Sequence, residues 1–505
     1  MNKFKIRVLC AAFAAGLMGS LAATPALAAE KDSRVIVKFK AGAFAKGRAE
    51  VASRGGKVLV NLSEFNALSV RLSPAAVKLL KRSRHVEFIE PDHPMYPMAE
   101  SVPYGIPMVQ ANLVGDGAAG NRTLCIIDSG IDGTHPDHAG NKLAGENLTT
   151  SGTWDSDESA HGTHVAGTVA AVGGNGIGVV GVMPNKNINL YIAKVFDASG
   201  STSASTVAKA MWACYKNGGA NVISMSLGGS GASKLQGIVA KLLDKRGVMM
   251  FAAAGNGGTS AVSYPAGFPE VISVAAVDAA KAHASFSQFN ADVEIAAPGV
   301  GVVSTVPVGT GETSTLDVAG SGFEVIGGAG SATGTVAAAL YDFGLGESVD
   351  AGAAGKICLI SRGNIAFGLK VDNCVASGGI GAVVYNNVPG ALAMDLGGAK
   401  TIPAVGADGN DAAALLAKVG QTATVSVEVS DYASFNGTSM ATPHASAVAA
   451  LVWSQHPSCT AAQLRASLNN SAEDLGTAGR DDQFGFGLIQ AKAASDRIAA
   501  MGCGN

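Results

Sequence analysis

Short apolar runs separated by amphipathic stretches dominate the central part of the chain. The apolar runs predict buried strands at residues 124–127, 189–195, 222–227, 248–254 and 271–277. Helical patterns lie between them, for example at residues 206–216 and 234–245. Apolar strands that alternate with helices are typical of a parallel sheet covered on both faces. We therefore predict an α/β fold whose ligands bind beyond the carboxyl ends of the strands.

The pattern ahead of this sheet is different. It predicts strands at residues 34–40, 57–62, 67–72 and 86–92, with a short helix at residues 74–81. This mixture indicates a small α+β domain spanning residues 29–98. On the pattern alone, it is an ordinary N-terminal domain.

A second change of pattern occurs at residues 312–430, which are rich in Gly, Ala and Val and contain two cysteines of their own. Residues 356–387 predict a strand, a charged loop, a helix, a glycine turn and another strand. Residues 401–408 suit a further strand and turn. We expect a β-rich domain inserted between the two parts of the α/β domain, residues 99–311 and 431–505.

Composition supports a large folded protein that leaves the cytoplasm. Hydrophobic residues make up 48% of the 505 positions, and the net charge of −3 gives no electrostatic basis for binding nucleic acid. The basic start (Lys3, Lys5, Arg7), the apolar stretch 8–23 and the sequence Ala-Leu-Ala at 26–28 predict a cleaved signal peptide, residues 1–28. No other run of about 20 apolar residues follows, so we expect a secreted product, extracellular or periplasmic, without a membrane anchor.

Cysteine usage agrees with export. Of the seven cysteines, Cys10 lies in the predicted signal peptide, and six remain: Cys125, Cys214, Cys358, Cys374, Cys459 and Cys503. An even number favours disulfides, although six cysteines allow 15 connectivities. Proximity in sequence favours Cys358 with Cys374 and Cys459 with Cys503. For Cys125 and Cys214, a disulfide and two buried free thiols are equally good interpretations.

Three separated motifs hold the residues of a candidate active site. They are IIDSGIDGTHPD (126–137), HGTHVAGT (161–168) and NGTSMATPHASA (436–447). Each contributes one member of an Asp, His, Ser set, at Asp128, His161 and Ser439. A serine hydroxyl needs an adjacent base to remove its proton, and that base needs a carboxylate to orient it. Together the motifs predict nucleophilic catalysis by Ser439.

Each of these residues has a plainer interpretation when taken singly. Asp128 would be a turn residue at the end of a strand, and Ser439 would be a helix N-cap ahead of an Ala-rich stretch. His161 and His164 would be a metal pair on one helix face, although no His-Glu-x-x-His pattern accompanies them. The joint occurrence of all three motifs outweighs these separate interpretations.

The motifs resemble those of the subtilisin-like serine proteases. The chain order Asp, His, Ser is that of subtilisin, and the serine motif G-x-S-x-A differs from the G-x-S-x-G of α/β-hydrolases. The resemblance implies a subtilisin-like parallel sheet flanked by helices and a monomeric endopeptidase that cleaves proteins and peptides through an acyl-enzyme. Residues 29–98 resemble the inhibitor-like pro-domain of these enzymes. Residues 356–387 resemble the core of a protease-associated (PA) domain.

The resemblance also assigns residues around the triad. AAAGN (252–256) matches the oxyanion segment of the family, which implies that the Asn256 amide binds the developing oxyanion. SLGG (226–229) resembles the strand edge that pairs with an extended substrate. The implied substrate-binding residues are Ser226, Leu227, Gly228, Ala253 and Gly255, with Tyr264, Pro265 and Ala266 near the base of the pocket. Because Gly257 and Ala266 are not acidic, we expect a pocket for large neutral side chains.

A structural calcium site is a further implication of the resemblance. The matching positions are Glu100, Asp137, Val172, Asn175, Ile177 and Val179. Carboxylate, amide and backbone oxygens in this mixture suit Ca²⁺. The chain departs from the family in an extra loop glycine and in Glu100, which replaces the usual Gln.

The resemblance also predicts how the enzyme matures. AESVPYGI (99–106) resembles the mature N-terminus of subtilisins and directly follows MYPM (95–98). We expect autocatalytic cleavage between Met98 and Ala99, with the pro-domain remaining bound as an intramolecular inhibitor. Trimming by another protease is the alternative.

Two rival functions are compatible with parts of this pattern. One is a binding protein that keeps the fold without catalysis, but all three triad positions and Asn256 are intact. The other is an esterase with the same triad, for which no oxyanion motif of that class or lid-like helix is evident. Labelling by a fluorophosphonate separates the first rival from an enzyme, and casein against a short ester separates the second.

Overall fold

The computed structural model describes residues 33–91 and 100–504, and the chain divides into two units, Met1–Pro97 and Met98–Asn505. The predicted signal peptide at residues 1–28 lies outside the described residues. So do Met98 and Ala99 of the predicted processing site. In the part of the chain that is described, no helix is both long and apolar enough to cross a membrane.

The first unit is a four-stranded antiparallel sheet with two helices. Its elements are β1 (Ser33–Phe39), α1 (Phe44–Ser53), β2 (Lys57–Leu62), β3 (Ala67–Leu72), α2 (Pro74–Leu80) and β4 (Val86–Pro91), in the sheet order β2-β3-β1-β4. The sequence predicted all of these except α1, which buries only Gly47 and Val51. Gly47 is required there because a Cβ atom would lie 2.2 Å from the Phe39 ring.

The second unit is built on a seven-stranded parallel sheet. Its elements up to the insertion are α3 (Gly105–Met108), β5 (Thr123–Asp128), β6 (Lys142–Asn147), α4 (His161–Ala170), β7 (Asn189–Lys194), α5 (Ala204–Lys216), β8 (Val222–Met225), α6 (Lys234–Asp244), β9 (Met249–Ala253), β10 (Val271–Val277), β11 (Val293–Pro298) and β12 (Val302–Thr305). The sheet order is β11-β10-β9-β8-β5-β7-β6, and every pairing is parallel. The predicted α/β class is confirmed. The sequence pattern gave the five central strands to within one or two residues at each end but did not include β6 or β11 at the edges.

Alternating side chains of the central strands β5, β7 and β9 enter two separate cores. In β5, Leu124 and Ile126 join one cluster with α4, while Cys125 and Ile127 join another with α5 and α6. Successive side chains of a strand point to opposite faces, so helices cover both faces of the sheet. This double burial explains why the strands are continuous apolar runs.

Residues 311–430 form a separate eight-stranded mixed sheet. Its elements are β13 (Gly311–Val318), β14 (Ser321–Phe323), β15 (Val325–Gly327), β16 (Gly334–Asp342), β17 (Ile357–Ser361), α7 (Phe367–Ala376), β18 (Gly381–Tyr385), β19 (Ala404–Ala407), α8 (Ala412–Leu416) and β20 (Thr422–Ser430). The strand order is β14-β13-β20-β16-β17-β18-β19-β15. The strand, helix, strand pattern predicted within residues 356–387 corresponds to β17, α7 and β18.

The chain enters and leaves this sheet through a two-stranded antiparallel ribbon. The ribbon pairs β12 with β21 (Tyr432–Phe435), and β13 follows β12 while β20 precedes β21. After the ribbon come α9 (Thr438–Gln455), α10 (Ala461–Asn470) and α11 (Ala491–Met501). Helix α9 is buried along almost its whole length, as expected for a helix that is apolar on every face.

Three disulfides join the six cysteines. Cys358 pairs with Cys374 and Cys459 with Cys503, as proximity predicted, and Cys125 pairs with Cys214. The last pair links β5 to α5 within the core. Of the two interpretations open for Cys125 and Cys214, the disulfide is therefore correct.

Candidate active site

Asp128 and His161 meet at the carboxyl end of the parallel sheet. Asp128 is the last residue of β5 and is fully buried, and His161 is the first residue of α4. The Asp128 Oδ1 atom lies 2.7 Å from His161 Nδ1. The same oxygen accepts a hydrogen bond from the Ser129 backbone N–H at 2.8 Å. This contact fixes the ring so that Nε2 is the nitrogen left for chemistry.

A network behind this pair holds the start of α4. The Ser129 hydroxyl donates to Asp157 Oδ1 at 2.8 Å and accepts from the Gly162 N–H at 2.9 Å. Asp157 also accepts hydrogen bonds from the backbone N–H groups of Ala160 and Thr163, so it caps a helix whose own N-cap residue, Ala160, has no side-chain donor or acceptor. Asp157 is not evident from the sequence, because its capping role depends on α4 beginning at His161.

The charges around His161 favour its protonated form. Burial alone would lower the pKa of His161, but the charge of Asp128, its hydrogen bond and the charge of Asp157 raise the pKa above its ordinary value. One third of the side chain is exposed, which leaves the ring accessible to a substrate. The pair therefore stabilises the imidazolium that a proton transfer to His161 would create.

Ser439 lies in the first turn of α9, next to the end of β8. Its hydroxyl donates to the Ser226 carbonyl at 3.0 Å, and the Ser226 hydroxyl donates to the Ser439 carbonyl at 2.7 Å. Among the described hydrogen bonds, none joins Ser439 Oγ to His161 Nε2. The N-terminal end of α9 carries partial positive charge and free N–H groups, which favours an anion at Ser439.

Asn256 follows the end of β9 and is held by the residue before Ser439. Its Oδ1 atom accepts hydrogen bonds from the Thr438 N–H at 2.9 Å and the Thr438 hydroxyl at 2.8 Å. With the oxygen occupied in this way, the Asn256 Nδ2 group is the part that remains to act as a donor. Thr438 is a positioning residue that the sequence analysis did not single out, although it lies within the serine motif.

A cavity of about 290 Å³ adjoins Ser439 and Asn256. Its lining includes four residues of the predicted substrate-binding set, namely Leu227, Gly228, Ala253 and Gly255. Ser226 contacts Ser439 instead, and Tyr264 lines a neighbouring cavity. No charged side chain is present among the described residues that line the 290 Å³ cavity. We call it the acyl pocket.

Gly255 sets the shape of the acyl pocket. Its φ is +113°, and a Cβ atom there would lie 1.8 Å from Gln288 Oε1. Gln288 in turn bonds the Gly255 carbonyl through its backbone N–H at 2.9 Å. A larger residue at position 255 would therefore displace Gln288 from the pocket wall.

The predicted calcium ligands lie together in one loop region. Asn175 Nδ2 donates to Asp137 Oδ1 at 2.6 Å, and the Val179 N–H donates to Asp137 Oδ2 at 2.9 Å. The Val172 N–H donates to the Asp137 carbonyl at 2.9 Å. The Ile177 N–H donates to Asn175 Oδ1 at 3.1 Å.

Glu100 reaches the same region because the next residue, Ser101, bonds to the Gly178 carbonyl at 2.8 Å. Glu100 Oε1 is buried without a hydrogen-bond partner among the described residues. Burial raises the pKa of the Asp137 carboxyl, although hydrogen bonds from Asn175, Val179 and Tyr432 oppose this effect. One Glu100 oxygen has no hydrogen-bond partner, and the hydrogen bonds to Asp137 do not outweigh the effect of its burial. The two carboxylates therefore suit a cation.

His164, which could have paired with His161 as a metal ligand, has another role. It is fully buried, and its Nε2 atom lies 2.9 Å from the Val302 carbonyl and 3.2 Å from the Ala433 carbonyl. Burial lowers the pKa of His164 to about 3, so the ring is neutral and donates to these carbonyls. His164 thus ties α4 to the β12–β21 ribbon.

Comparisons with known proteins find related sequences over much of the chain. The profile of the Subtilase family matches residues 120–341 and 351–487. Subtilisin NAT from Bacillus subtilis subsp. natto is 41% identical over 292 residues, which cover 55% of this chain and 74% of that protein. Subtilisin from Bacillus pumilus is 44% identical over 221 residues, covering 42% of this chain and 78% of that protein.

A solved structure matches a larger share of the chain than these relatives do. The psychrophilic subtilisin-like protease Apa1 from the Antarctic psychrotroph Pseudoalteromonas sp. AS-11 superimposes with a TM-score of 0.68 at 41% sequence identity. The match covers 80% of this chain and 99% of that chain.

Proposed function

The chain belongs to the subtilase family of serine endopeptidases, and on that premise we propose that Asp128, His161 and Ser439 form its catalytic triad. The observation that carries the proposal is the 2.7 Å contact between the fully buried Asp128 carboxylate and His161 Nδ1. Ser439 supports it by its position at the helix N-terminus beside the acyl pocket.

The first chemical step is attack by Ser439 on the scissile carbonyl. The Ser439 side chain turns from the Ser226 carbonyl to another staggered rotamer and presents its proton to His161 Nε2. His161 takes the proton while Asp128 stabilises the imidazolium, and Ser439 Oγ forms a bond to the carbonyl carbon. His161 then gives the proton to the leaving amine, and water hydrolyses the resulting acyl-enzyme by the reverse sequence.

Asn256 and the N-terminal end of α9 stabilise the tetrahedral oxyanion. The Thr438 hydrogen bonds keep Asn256 Nδ2 directed away from Thr438 and available to the oxyanion. The Ser439 N–H supplies the second donor. For the equivalent asparagine of subtilisin, loss of this donor costs about 10²- to 10³-fold in turnover.

The substrate lies extended beside residues 226–228, with the side chain preceding the scissile bond in the acyl pocket. The uncharged lining supports a preference for large neutral side chains. Protein and peptide substrates follow from the family, and this side-chain preference is our proposal for this chain.

We also propose the precursor organisation that the sequence predicted. It consists of an exported signal peptide, a pro-domain at residues 29–98, a catalytic domain at residues 99–311 and 431–505, and an inserted PA domain at residues 312–430. The enzyme acts as a monomer. The four-stranded antiparallel sheet of the first unit and the eight-stranded sheet within residues 311–430 support two of these boundaries.

A structural Ca²⁺ ion fits the loop around Asp137. The carboxylates of Glu100 and Asp137, the Asn175 side chain and the carbonyls of Val172, Ile177 and Val179 would hold it. The buried, unpartnered Glu100 oxygen supports this assignment, because such a group is costly without a counter-charge. The ion would neutralise the loop and stabilise the fold, and no step of catalysis depends on it.

Labelling with a fluorophosphonate tests the assignment. The reagent should modify the wild-type protein at Ser439 and leave Ser439→Ala unmodified, with Ser446→Ala as a control serine in the same helix. Casein hydrolysis by the same preparation separates an endopeptidase from an esterase. Labelling at another serine, or ester hydrolysis without casein hydrolysis, would contradict the proposal.

A further inference from the structure

A second cavity, of about 480 Å³, begins next to the candidate triad and shares no lining residue with the acyl pocket. Two of its lining residues locate it: Ala160 directly precedes His161, and Phe435 lies four positions before Ser439. The Phe435 ring stacks on His164, with 4.4 Å between ring centroids. Ala160 therefore places one end of the cavity beside His161.

The insertion builds much of this cavity. One side is the β12–β21 ribbon, represented by Val303 and Ser434. The other side comes from the inserted sheet, with Glu312 on β13, Ile326 on β15 and Met394 in the loop before β19. We call this cavity the insertion groove.

The inserted sheet lies close against the β12–β21 ribbon. Gly311, the first residue of β13, lies so near to β21 that a Cβ atom would be 2.3 Å from the Tyr432 carbonyl. The Val306 N–H also bonds to the Asp431 carbonyl at 2.8 Å where the chain crosses into the insertion. The inserted strands therefore pack directly against the β12–β21 ribbon and are not connected to it by a flexible linker.

The chemistry of the lining defines what can bind. Apolar or small residues and hydroxyl groups make up nearly all of it, and Glu312 is the one charged side chain among the described lining residues. Such a surface favours a large apolar side chain by burial. It disfavours an acidic one, which would meet the Glu312 carboxylate in partly desolvated surroundings.

The direction of the reaction indicates which part of a substrate reaches the groove. The acyl pocket takes the residue before the scissile bond, whereas His161 must face the leaving amine to protonate it. The leaving segment therefore passes His161 and Ala160. We propose that the insertion groove binds this leaving segment and selects a large apolar side chain within its first four residues, while disfavouring Asp and Glu. This inference rests on the proposed serine protease function.

Acyl transfer measures this binding separately from the acyl pocket. A short ester substrate acylates Ser439 without using the leaving-side groove. An added peptide amine then competes with water: its nitrogen bonds to the acyl carbon, the ester bond to Ser439 Oγ breaks, and His161 passes the amine proton to Ser439. The probes are tetraglycine amides in which one residue, at any of the four positions, is replaced by Leu or Asp, with unsubstituted tetraglycine amide as the reference. The measured quantity is the ratio of aminolysis to hydrolysis.

In the wild-type enzyme, Leu at one of these positions should raise the ratio about tenfold over Gly, the effect of burying one apolar side chain. Asp should lower it, and Glu312→Gln should relieve that penalty. Ala393→Trp, at an exposed lining position, should abolish the Leu preference by filling the groove. The matched control is Ala391→Trp, at an exposed alanine of the same loop that does not line the groove, and it should keep the preference.

Ester hydrolysis should be unchanged in both tryptophan variants, which reports correct folding. If Ala393→Trp loses it, Ile326→Asp provides the same test, because a carboxylate in the groove should also remove the Leu preference. A wild-type enzyme that shows no Leu preference, or a preference that survives in Ala393→Trp, would overturn the proposal. A wild-type protein that fails to hydrolyse the ester would instead contradict the serine protease function.

Discussion

Ser226 and Ser439 exchange two hydrogen bonds between the end of β8 and the start of α9. The Ser226 hydroxyl donates to the Ser439 carbonyl at 2.7 Å, and the Ser439 hydroxyl donates to the Ser226 carbonyl at 3.0 Å. The residue four positions after Ser439 is Pro443, which has no N–H to give to that carbonyl. Ser226 therefore supplies the donor that the helix lacks, and it anchors Ser439 to the end of β8.

This relationship predicts a cost for Ser226→Ala. The Ser439 carbonyl, which is partly buried, would lose its donor, so the free energy of unfolding should fall by about 1 kcal/mol. Urea unfolding in a Ser439→Ala background measures this without self-digestion. The matched control is Ser224→Ala in the same strand, whose buried hydroxyl has no hydrogen-bond partner among the described residues and whose loss should be neutral or stabilising. Equal effects of the two substitutions would show that the Ser226 hydroxyl is not an anchor.

The triad should behave as a unit. Ser439→Ala should lower turnover on a peptide substrate by about 10⁶, the size known for the subtilisin triad. His161→Ala should cost about as much, and the double variant should lose little more, because each single change already disables the same proton transfer. Steady-state kinetics on purified variants decide this. Near-normal hydrolysis by either single variant, or additive losses, would contradict the assignment.

The sequence alone suggests the proposed triad, but it does not reveal the residues that hold the triad in place. Asp128, His161 and Ser439 lie in short contiguous motifs, and the chemical role of each can be inferred from its residue type and neighbours. The role of Ser226 depends on a hydrogen bond across 213 positions, which no local pattern contains. Asp157 was missed for a different reason, since its capping role becomes evident only once α4 is known to begin at His161.

The same contrast applies to the fold. The central strands were predictable because burial on both faces makes them continuous apolar runs, whereas α1 contains Gly47 and buries too few residues to show a helical period. The insertion groove was not predictable, because it arises where β13 and β15 meet the β12–β21 ribbon. Such a cavity is a property of tertiary packing rather than of any one segment.

The pH dependence of activity should report the Asp128–His161 pair. Only neutral His161 can accept a proton, so kcat/KM should rise with pH as His161 loses its proton. Because the pKa of His161 is raised above its ordinary value, this acid limb of the profile should lie at a higher pH than an ordinary histidine would give. Asp128→Asn removes the largest favourable charge, so the limb should move to lower pH while turnover falls by about 10⁴.

Asp157→Asn is the matched control for that prediction. Its charge also raises the pKa of His161, but it contributes less than Asp128. The limb should therefore shift in the same direction by a smaller amount. A profile that does not move in Asp128→Asn would show that another group controls the acid limb.

Calcium should stabilise the enzyme without taking part in the reaction. Removing it with a chelator should lower the melting temperature, and at a free ion concentration of 100 Kd the lost stability is about 2.7 kcal/mol. Glu100→Ala should weaken the response to added Ca²⁺, because it removes the carboxylate whose oxygen is buried and unpartnered. Glu324→Ala, at an exposed glutamate of the second unit outside the calcium loop, is the control. A melting temperature that is insensitive to both chelator and Ca²⁺ would rule out the site.

Maturation should be autocatalytic between Met98 and Ala99. The residue before the cleaved bond must enter the acyl pocket, and an uncharged pocket of about 290 Å³ suits the side chain of Met98. Met98→Asp should block or relocate the cleavage, because no described lining residue carries a positive charge to receive the carboxylate. Asp92→Asn, a charge change outside the MYPM sequence, should be processed normally.

N-terminal sequencing should be done in a host that lacks other exported proteases. There the wild type should begin at Ala99, and Ser439→Ala should retain its pro-segment. If Ser439→Ala also begins at Ala99, another protease performs the cleavage and self-processing is wrong.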